Sequence, residues 1–412
     1  MSESFDAGWF GLPRFVPSLS FVGVCIFTLS IVTYWVPWGD FGIGLALLGL
    51  AFQRQRLRVS PPVWLFAAFL LWAFVASLAA PYPEIAHATI LEFLKLLLIF
   101  FALINALRSE GQIRAYLLFF VICFALFPVR GTLVGDDQVF GRAVWNYIYS
   151  NPNDLAALSI IALGMCLGFC FSRPLHFLLR VFSLSTAVAL TLVIVLTQSR
   201  GATIGVVCGL GVPFVRVAFR RTRVLGIAAI AGLALASSLP STVWHRLPGL
   251  ANLTSEETVR QADPEGSAEQ RLEVLRAGWQ MFKDHPAFGV GLGAFGEAMS
   301  QYDAALTGYS AHNTYLNLAA ETGVVGLLLW LACVASVLRY AYRSRKHAPD
   351  SALSTQQAWL EYAAYAYLVA SIFGAYAHLS FIYLLLASVW CCAAVLDTKL
   401  PPTSGPAVPA RR

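Results

Sequence analysis

The chain has 412 residues, of which 58% are hydrophobic and only 12% are charged, and its mean hydropathy is +0.68. Soluble domains carry about 25% charged residues, so this composition excludes a soluble globular protein and predicts an all-α integral membrane protein. The net charge of +6 is spread over loops that flank apolar runs, which excludes a nucleic-acid-binding surface as its explanation.

Twelve apolar runs follow one another along the chain, each close to the length of about 20 residues that crosses a bilayer. They predict spans at 15–36, 38–52, 61–80, 89–107, 115–133, 155–172, 181–197, 201–217, 224–240, 314–338, 357–375 and 378–396. The chain therefore divides into four regions: nine spans in 1–240, one large polar loop in 241–313, three spans in 314–396, and a proline-rich, disordered tail in 397–412.

Basic residues predict how the chain is oriented. When alternate loops are assigned to the cytoplasm, that side holds 19 of the 28 Lys and Arg residues. By the positive-inside rule, both termini are cytoplasmic and the large loop lies outside. The segment before the first span contains acidic residues and no small-residue cleavage pattern, so this span is expected to be retained.

Two arginines are predicted at the external face before the large loop. Arg142 lies in the 134–154 loop, and Arg200 follows the seventh span in a turn so short that its guanidinium must stay near the membrane surface. An interfacial arginine that reaches lipid phosphates is the alternative interpretation of Arg200. A guanidinium fork also suits a diphosphate, which it binds bidentately.

Within the large loop, residues 269–285 are predicted to form an amphipathic helix. Its apolar residues recur every three or four positions and form one stripe, at Leu272, Leu275, Trp279 and Phe282. Arg271 and Arg276 flank opposite edges of this stripe, about 140° apart, so only one is expected to point into a given site. The glycine-rich stretch 289–293 follows Pro286 and predicts a turn.

A histidine and a ladder of polar residues mark the start of the tenth span. His312 precedes it and is followed by Asn313, Asn317 and Glu321. Polar side chains are costly in lipid, so the ladder is expected to be buried against other helices or in a cavity. His312 is either a helix-cap or interfacial residue, or a general base for a hydroxyl, since imidazole titrates near neutral pH.

Other ionisable residues have simpler interpretations. Glu92 and Lys95 are three positions apart in the fourth span and predict an ion pair inside the helix bundle. All eight cysteines fall in predicted spans, and the external segments contain no cluster with the spacing of metal ligands. No metal site and no cofactor are therefore predicted.

Three segments, in this order and on the predicted external side, resemble the O-antigen ligase and polymerase superfamily. They are Gln198–Gly201, the run from Arg271 to Gly291, and His312–Leu316. The resemblance implies a GT-C-like glycosyltransferase of the bacterial inner membrane, metal-independent and acting at the periplasmic face. Its implied donor is an undecaprenyl-diphosphate-linked glycan, and for a ligase the acceptor is a sugar hydroxyl of lipid A–core.

By the same resemblance, Arg200 and Arg271 would hold the donor diphosphate, and His312 would activate the acceptor. Arg142 is added as a candidate for diphosphate binding because its positive charge lies on another predicted external segment. Further candidates for substrate binding are Arg276, Asn313 and Tyr315. Direct displacement at the anomeric carbon would invert its configuration, and no partner other than the two substrates and membrane lipid is expected.

Three alternatives remain open. A polymerase would use a second polyprenyl-linked repeat as its acceptor, and a protein O-oligosaccharyltransferase would use a protein. A lipid or solute transporter also suits twelve spans, but transporters commonly have two similar halves with a binding site near the bilayer midplane. Here the large loop lies only in the second half, and the polar residues gather at one face.

Overall fold

A computed structural model describes residues 13, 15–219, 267–348 and 350–399, and this part of the chain is almost entirely helical. Its α-helices are α1 Leu19–Thr33, α2 Gly39–Ala51, α3 Pro61–Ser77, α4 Pro83–Ala106, α5 Glu110–Phe124, α6 Arg130–Val134, α7 Pro152–Phe171, α8 Phe177–Leu196, α9 Arg200–Gly205, α10 Val212–Phe219, α11 Ser267–Asp284, α12 Phe295–Ala298, α13 Thr314–His347, α14 Ala352–Ala370 and α15 Ser380–Thr398. Two short antiparallel strands, β1 Gln138–Val139 and β2 Arg142–Ala143, form a hairpin between α6 and α7.

Six helical segments are long and apolar enough to cross a membrane: Pro83–Ala106, Glu110–Val134, Pro152–Phe171, Phe177–Leu196, Thr314–His347 and Ser380–Thr398. Helices α1, α2 and α3 are apolar but shorter. The chain is thus an all-α membrane protein. The count of twelve spans stays a prediction: helices lie in order at eleven of the predicted positions, and the ninth, 224–240, lies outside the described residues.

The eighth predicted span is not one continuous helix. A π-helical turn, Val206–Gly211, separates α9 from α10. A side chain at Gly205 or Gly209 would collide with the backbone of α14 at Ala366. This segment therefore packs against α14 so closely that only glycine fits at these two positions. The hydropathy pattern predicted an apolar helix here, but it could not predict that one turn of this helix is π-helical.

The buried core lies around α7 and α15. Their apolar windows are 89% and 78% buried within the protein, against 39% for α4 and for α8. Helices α4 and α8 therefore present one face outward, whereas α7 and α15 are enclosed by neighbours on nearly all sides.

The two ends of the helix bundle differ. One end, here called the loop end, carries the segments 134–151, 197–199, 285–313 and 371–379. The opposite end, here called the basic end, carries Arg58, Arg108, Arg345 and Lys399. Asn105, at the last turn of α4, accepts hydrogen bonds from the Arg58 backbone N–H at 2.7 Å and from the Arg108 guanidinium at 2.6 Å. Helices α4, α13 and α15 all run from the loop end to the basic end.

The helix predicted at 269–285 is present as α11, and its apolar stripe is only partly packed. Val274 and Met281 are buried, whereas Leu272 is 38% and Trp279 54% exposed. A side chain at Gly278 would meet Phe295 and Leu316, since α11 approaches α13 closely at this glycine. Close approach favours small residues at the contact, so Leu272 and Trp279 face outward, whereas Phe282 is partly buried.

The ion pair between Glu92 and Lys95 forms at 3.1 Å, but the prediction that it is internal is wrong. Their side chains are 68% and 40% exposed, and Lys95 also contacts Asp40 of α2 at 3.4 Å. Spacing along the sequence predicts that two side chains meet, but not which way that face of the helix points.

Candidate functional site

Arg142, in β2, connects three parts of the loop end. Its Nε donates to the carbonyl oxygen of Thr197 at 2.8 Å, and its Nη2 donates to Oδ1 of Asn153 at 2.7 Å. The side-chain amide of Gln198, in the same turn, donates a hydrogen bond to the Gly141 carbonyl of the hairpin at 3.1 Å. The hairpin therefore fixes the turn at 197–199 against the start of α7.

Arg200 follows directly on this fixed turn as the first residue of α9. The Ser199 hydroxyl accepts from the backbone N–H of Ala202 at 3.4 Å and caps the helix. A side chain at Gly201 would collide with Phe373, so the start of α9 lies against the 371–379 segment. Arg200 is half-buried there. Arg142 and Arg200 thus share one hydrogen-bonded turn.

Arg271 and Arg276 lie on different sides of α11. Taking the packed face from Val274, Gly278 and Met281, Arg271 is about 50° from its centre and Arg276 about 170°. Arg271 is accordingly half-buried, whereas Arg276 is exposed. Of the two arginines, only Arg271 is placed towards the interior of the loop end.

His312 lies within the electrostatic reach of Arg271. Burial, which removes water from the charged imidazolium, and the positive charge of Arg271 together lower the pKa of His312 from 6.5 to about 4, with burial as the larger cause. The imidazole is therefore neutral at neutral pH and has a lone pair available to accept a proton. Its backbone has a φ of 45°, in the left-handed region, immediately before the cap of α13.

Tyr376 lies between the arginines and α13, and no feature of the sequence had singled it out. Its hydroxyl donates to the Asn153 carbonyl at 3.2 Å, and its backbone N–H donates to Oγ1 of Thr314 at 2.8 Å. Burial and the nearby Asp154 raise the pKa of Tyr376, whereas Arg271 and Arg142 both oppose this rise. Both arginines therefore act on the same phenol.

Asn313 and Tyr315 are engaged by the fold. The Asn313 side chain accepts from the backbone N–H groups of Tyr315 and Leu316, both at 3.0 Å, and so caps α13. The Tyr315 hydroxyl donates to the Leu368 carbonyl of α14 at 2.7 Å. The structure thus explains these two residues of the His312–Leu316 motif without a ligand.

A cavity of about 720 Å³ lies beside the start of α13. Its walls are α4, the first two turns of α13, and residues from the 293–310 and 375–380 segments. Its polar lining residues are Thr89, Glu92, Tyr309, Ser310, Thr314, Asn317, Glu321, His378 and Ser380. Glu321 is only 5% exposed, and its Oε1 accepts from the Phe295 N–H at 3.3 Å. The expectation that Asn317 and Glu321 are buried or line a cavity is confirmed, whereas Glu92 and His378 were not expected there.

The structure thus brings Arg142 and Arg271 to Tyr376 and places His312 near Arg271, and Arg200 follows the turn that Arg142 holds. Arg276 lies on the far side of α11. Among the described residues, no group of three or more His, Cys, Asp or Glu side chains is arranged to hold a metal ion.

One comparison with known proteins finds a family match over part of the chain. Residues 185–331 match the family model described as O-antigen ligase. This segment contains Arg200, Arg271 and His312 and covers just over a third of the chain. No curated protein matches the chain. The resemblance inferred from the sequence motifs is confirmed at the level of this family, which does not separate ligase from polymerase.

Proposed function

We propose, starting from this O-antigen-ligase-like segment, that the protein is a glycosyltransferase of the bacterial inner membrane. It would move a glycan from undecaprenyl diphosphate to a sugar hydroxyl of lipid A–core. The observation that carries the proposal is a neutral imidazole, His312, within the field of Arg271 at the loop end. With both termini in the cytoplasm, this end faces the periplasm, and the helices would form a GT-C-like architecture.

The arginines would bind the donor diphosphate. Guanidinium groups bind phosphate oxygens bidentately and keep their charge at any physiological pH. Arg200 and Arg271 would make these contacts, and Arg142 would hold the turn that aims Arg200. The hydrogen bonds from Arg142 to Thr197 and Asn153 support this role because they fix the turn before any substrate arrives.

The reaction would be a single displacement. The acceptor oxygen forms a bond to the anomeric carbon, while the bond from that carbon to the phosphate oxygen breaks. The electron pair of the broken bond leaves with the diphosphate, whose negative charge the arginines stabilise. The proton of the acceptor hydroxyl passes to the neutral imidazole of His312, and attack from the opposite face inverts the anomeric configuration.

Donor binding would also raise the pKa of the proposed general base, His312. A general base works best when its pKa is near the working pH, and that of His312 lies well below it in the free protein. A bound diphosphate places negative charge beside Arg271 and offsets its repulsion of the imidazolium. The pKa of His312 would rise on donor binding, so that the base gains proton affinity when the leaving group is in place.

The test is transfer by the purified protein in nanodiscs, with a polyprenyl-diphosphate-linked glycan and lipid A–core and with neither nucleotide nor ion gradient. We expect His312→Ala to lower the transfer rate ~10²–10⁴-fold, the usual contribution of a positioned general base. His347→Ala is the matched control because His347 is exposed at the basic end of the same helix. A His312→Ala rate within twofold of wild type would remove this residue from the mechanism.

The same assay separates the related functions. A polymerase would accept a second polyprenyl-linked repeat and leave lipid A–core unmodified, and a protein O-oligosaccharyltransferase would modify a protein acceptor. Movement of lipid across the bilayer without any new glycosidic bond would identify a transporter and refute the enzyme proposal.

A further inference from the structure

The loop end contains two compartments separated by the chain segment 374–380. On one side, the Tyr376 hydroxyl reaches Asn153, close to Arg142 and Arg271. On the other side, Ala375, Ala377 and His378 line the cavity described above. Neighbouring residues of one segment thus face different compartments.

The start of α13 lies where these compartments meet. Thr314 lines the cavity, and its Oγ1 donates to the Gly374 carbonyl at 2.7 Å, which holds the dividing segment in place. His312, two residues earlier, lies in the field of Arg271 from the first compartment. The proposed base is therefore adjacent to both compartments.

The two compartments differ in their charged groups. The guanidinium groups of Arg142 and Arg271 and the carboxyl group of Asp154 act on the first. The described residues that line the cavity include Glu92, which pairs with Lys95, and Glu321, with His378 as a further titratable group. The described lining of the cavity contains no arginine or lysine to hold a diphosphate. Carboxylates accept hydrogen bonds from sugar hydroxyls, so the second suits an uncharged, hydroxyl-rich group.

One flank of the cavity is formed by a polar stripe of α4. The exposed positions there recur at helical spacing, at Glu84, His87, Ala88, Leu91 and Glu92. Ala88 and Glu92 belong both to this stripe and to the cavity lining. Ionisable side chains are costly against acyl chains, so the stripe indicates a water-filled opening at the side of the bundle.

Below this stripe, the turn between α1 and α2 marks the level of the membrane surface. Trp35 and Trp38 in this turn are 65% and 56% exposed, as is typical of aromatic residues at the membrane–water interface. Asp40, two residues beyond Trp38, contacts Lys95 of α4 at 3.4 Å. The opening over the α1–α2 hairpin therefore lies at headgroup level.

We infer that this cavity is the acceptor site, and that it receives the uncharged, hydroxyl-bearing sugar of a lipid-anchored glycolipid through the opening beside α4. The inference rests on the proposed function and adds where each substrate binds. Donor and acceptor would approach His312 from opposite sides of the 374–380 segment. Glu92 would accept a hydrogen bond from an acceptor hydroxyl, while Glu321 fixes the wall at Phe295.

The first test fills the cavity. Ala88→Trp places an indole in the opening at an exposed position, and Leu91→Trp is the matched control because Leu91 is 60% exposed on the same helix and does not line the cavity. We expect Ala88→Trp to raise the KM for lipid A–core about tenfold or more, equivalent to about 1.4 kcal/mol of binding. The KM for the donor, and the slow hydrolysis of the donor by water, should not change.

Two results would overturn the inference. A rise in donor KM, or a loss of donor hydrolysis, in Ala88→Trp would assign the cavity to the donor. Unchanged kinetics for both substrates would show that it is not on the path of either. Should Ala88→Trp not fold, Glu92→Gln replaces it, with Glu84→Gln as control, and we expect a smaller rise confined to the acceptor KM.

A binding measurement separates this inference from the catalytic proposal. Deacylated core oligosaccharide would be titrated by calorimetry into wild-type, Ala88→Trp and His312→Ala protein in nanodiscs. Retained binding by His312→Ala with loss in Ala88→Trp supports the acceptor site whether or not transfer is observed. Equal binding by wild-type protein and Ala88→Trp contradicts it even in an active enzyme.

Discussion

Arg345 at the basic end and Arg142 at the loop end are held in different ways. At the basic end, Arg345 makes a two-pronged contact with Glu361, whose side chain is fully buried, at 3.1 and 3.0 Å. At the loop end, Arg142 donates to a backbone carbonyl and a side-chain amide. A carboxylate cancels the charge of a guanidinium and holds it by a charged pair, whereas the contacts of Arg142 tie a hairpin to a turn and to the start of α7. The first arrangement stabilises the fold, and the second fixes the turn that precedes Arg200.

The largest effect is expected when an arginine is removed from the loop end, since this tests whether that end binds substrate. We expect Arg200→Ala to lower kcat/KM about 10²–10³-fold, the usual cost of losing one group that stabilises charge in the transition state. The melting temperature should change little. Arg276→Ala is the matched control, since Arg276 is exposed on the far side of α11. Equal losses in the two variants would argue for a general effect of positive charge instead of a defined site.

The opposite result is expected at the basic end. Glu361→Ala leaves Arg345 without its buried partner, and breaking such a pair costs about 3 kcal/mol. Thermal unfolding in detergent should shift to lower temperature, while kcat per folded molecule stays near wild type. Glu92→Ala is a comparison for stability alone, because the Glu92 pair is exposed and exposed pairs contribute about 0–1 kcal/mol. A larger loss of stability in Glu92→Ala than in Glu361→Ala would contradict the assignment.

The smallest effect, and the most specific, concerns pH. Burial and Arg271 both disfavour the protonated form of His312, so activity that needs the neutral imidazole falls only as the pH drops through its pKa of about 4. Arg271→Gln removes the repulsion, which raises this pKa and moves the acid limb of the kcat/KM profile to higher pH. Burial remains, so the limb should stay below about 6.5, the value of a free imidazole. A limb that does not move would show that Arg271 has no electrostatic influence on His312.

Several parts of the structure could be predicted from the chain because they depend on local patterns. Apolar runs of about 20 residues must form helices in lipid, since no other open structure satisfies the backbone there. The helix near 269–285 followed from its periodicity, and its end from Pro286. Which face of that helix packs did not follow, because Gly278 sets the contact and a glycine has no hydropathy signal.

For the candidate site too, some features could be predicted from the sequence and others could not. Residue chemistry marked Arg200, Arg271 and His312 as candidates, and the resemblance assigned them their roles and favoured Arg271 over Arg276. That Arg271 is half-buried and Arg276 exposed follows from the rotation of α11 on α13. Tyr376 and the Glu92 side of the cavity had no sequence signal, because their roles depend on neighbours far away in the chain.

By itself, then, the sequence determined the membrane environment, the helical class and the kinds of charged group at the loop end. Composition and spacing are enough for these, since each is set by a residue and its near neighbours. Only the tertiary structure decided which charges meet, which stay exposed, and that the segment 374–380 lies between the surroundings of Arg142 and Arg271 and the cavity beside α4. Those outcomes depend on helix rotation and close packing, which involve residues hundreds of positions apart.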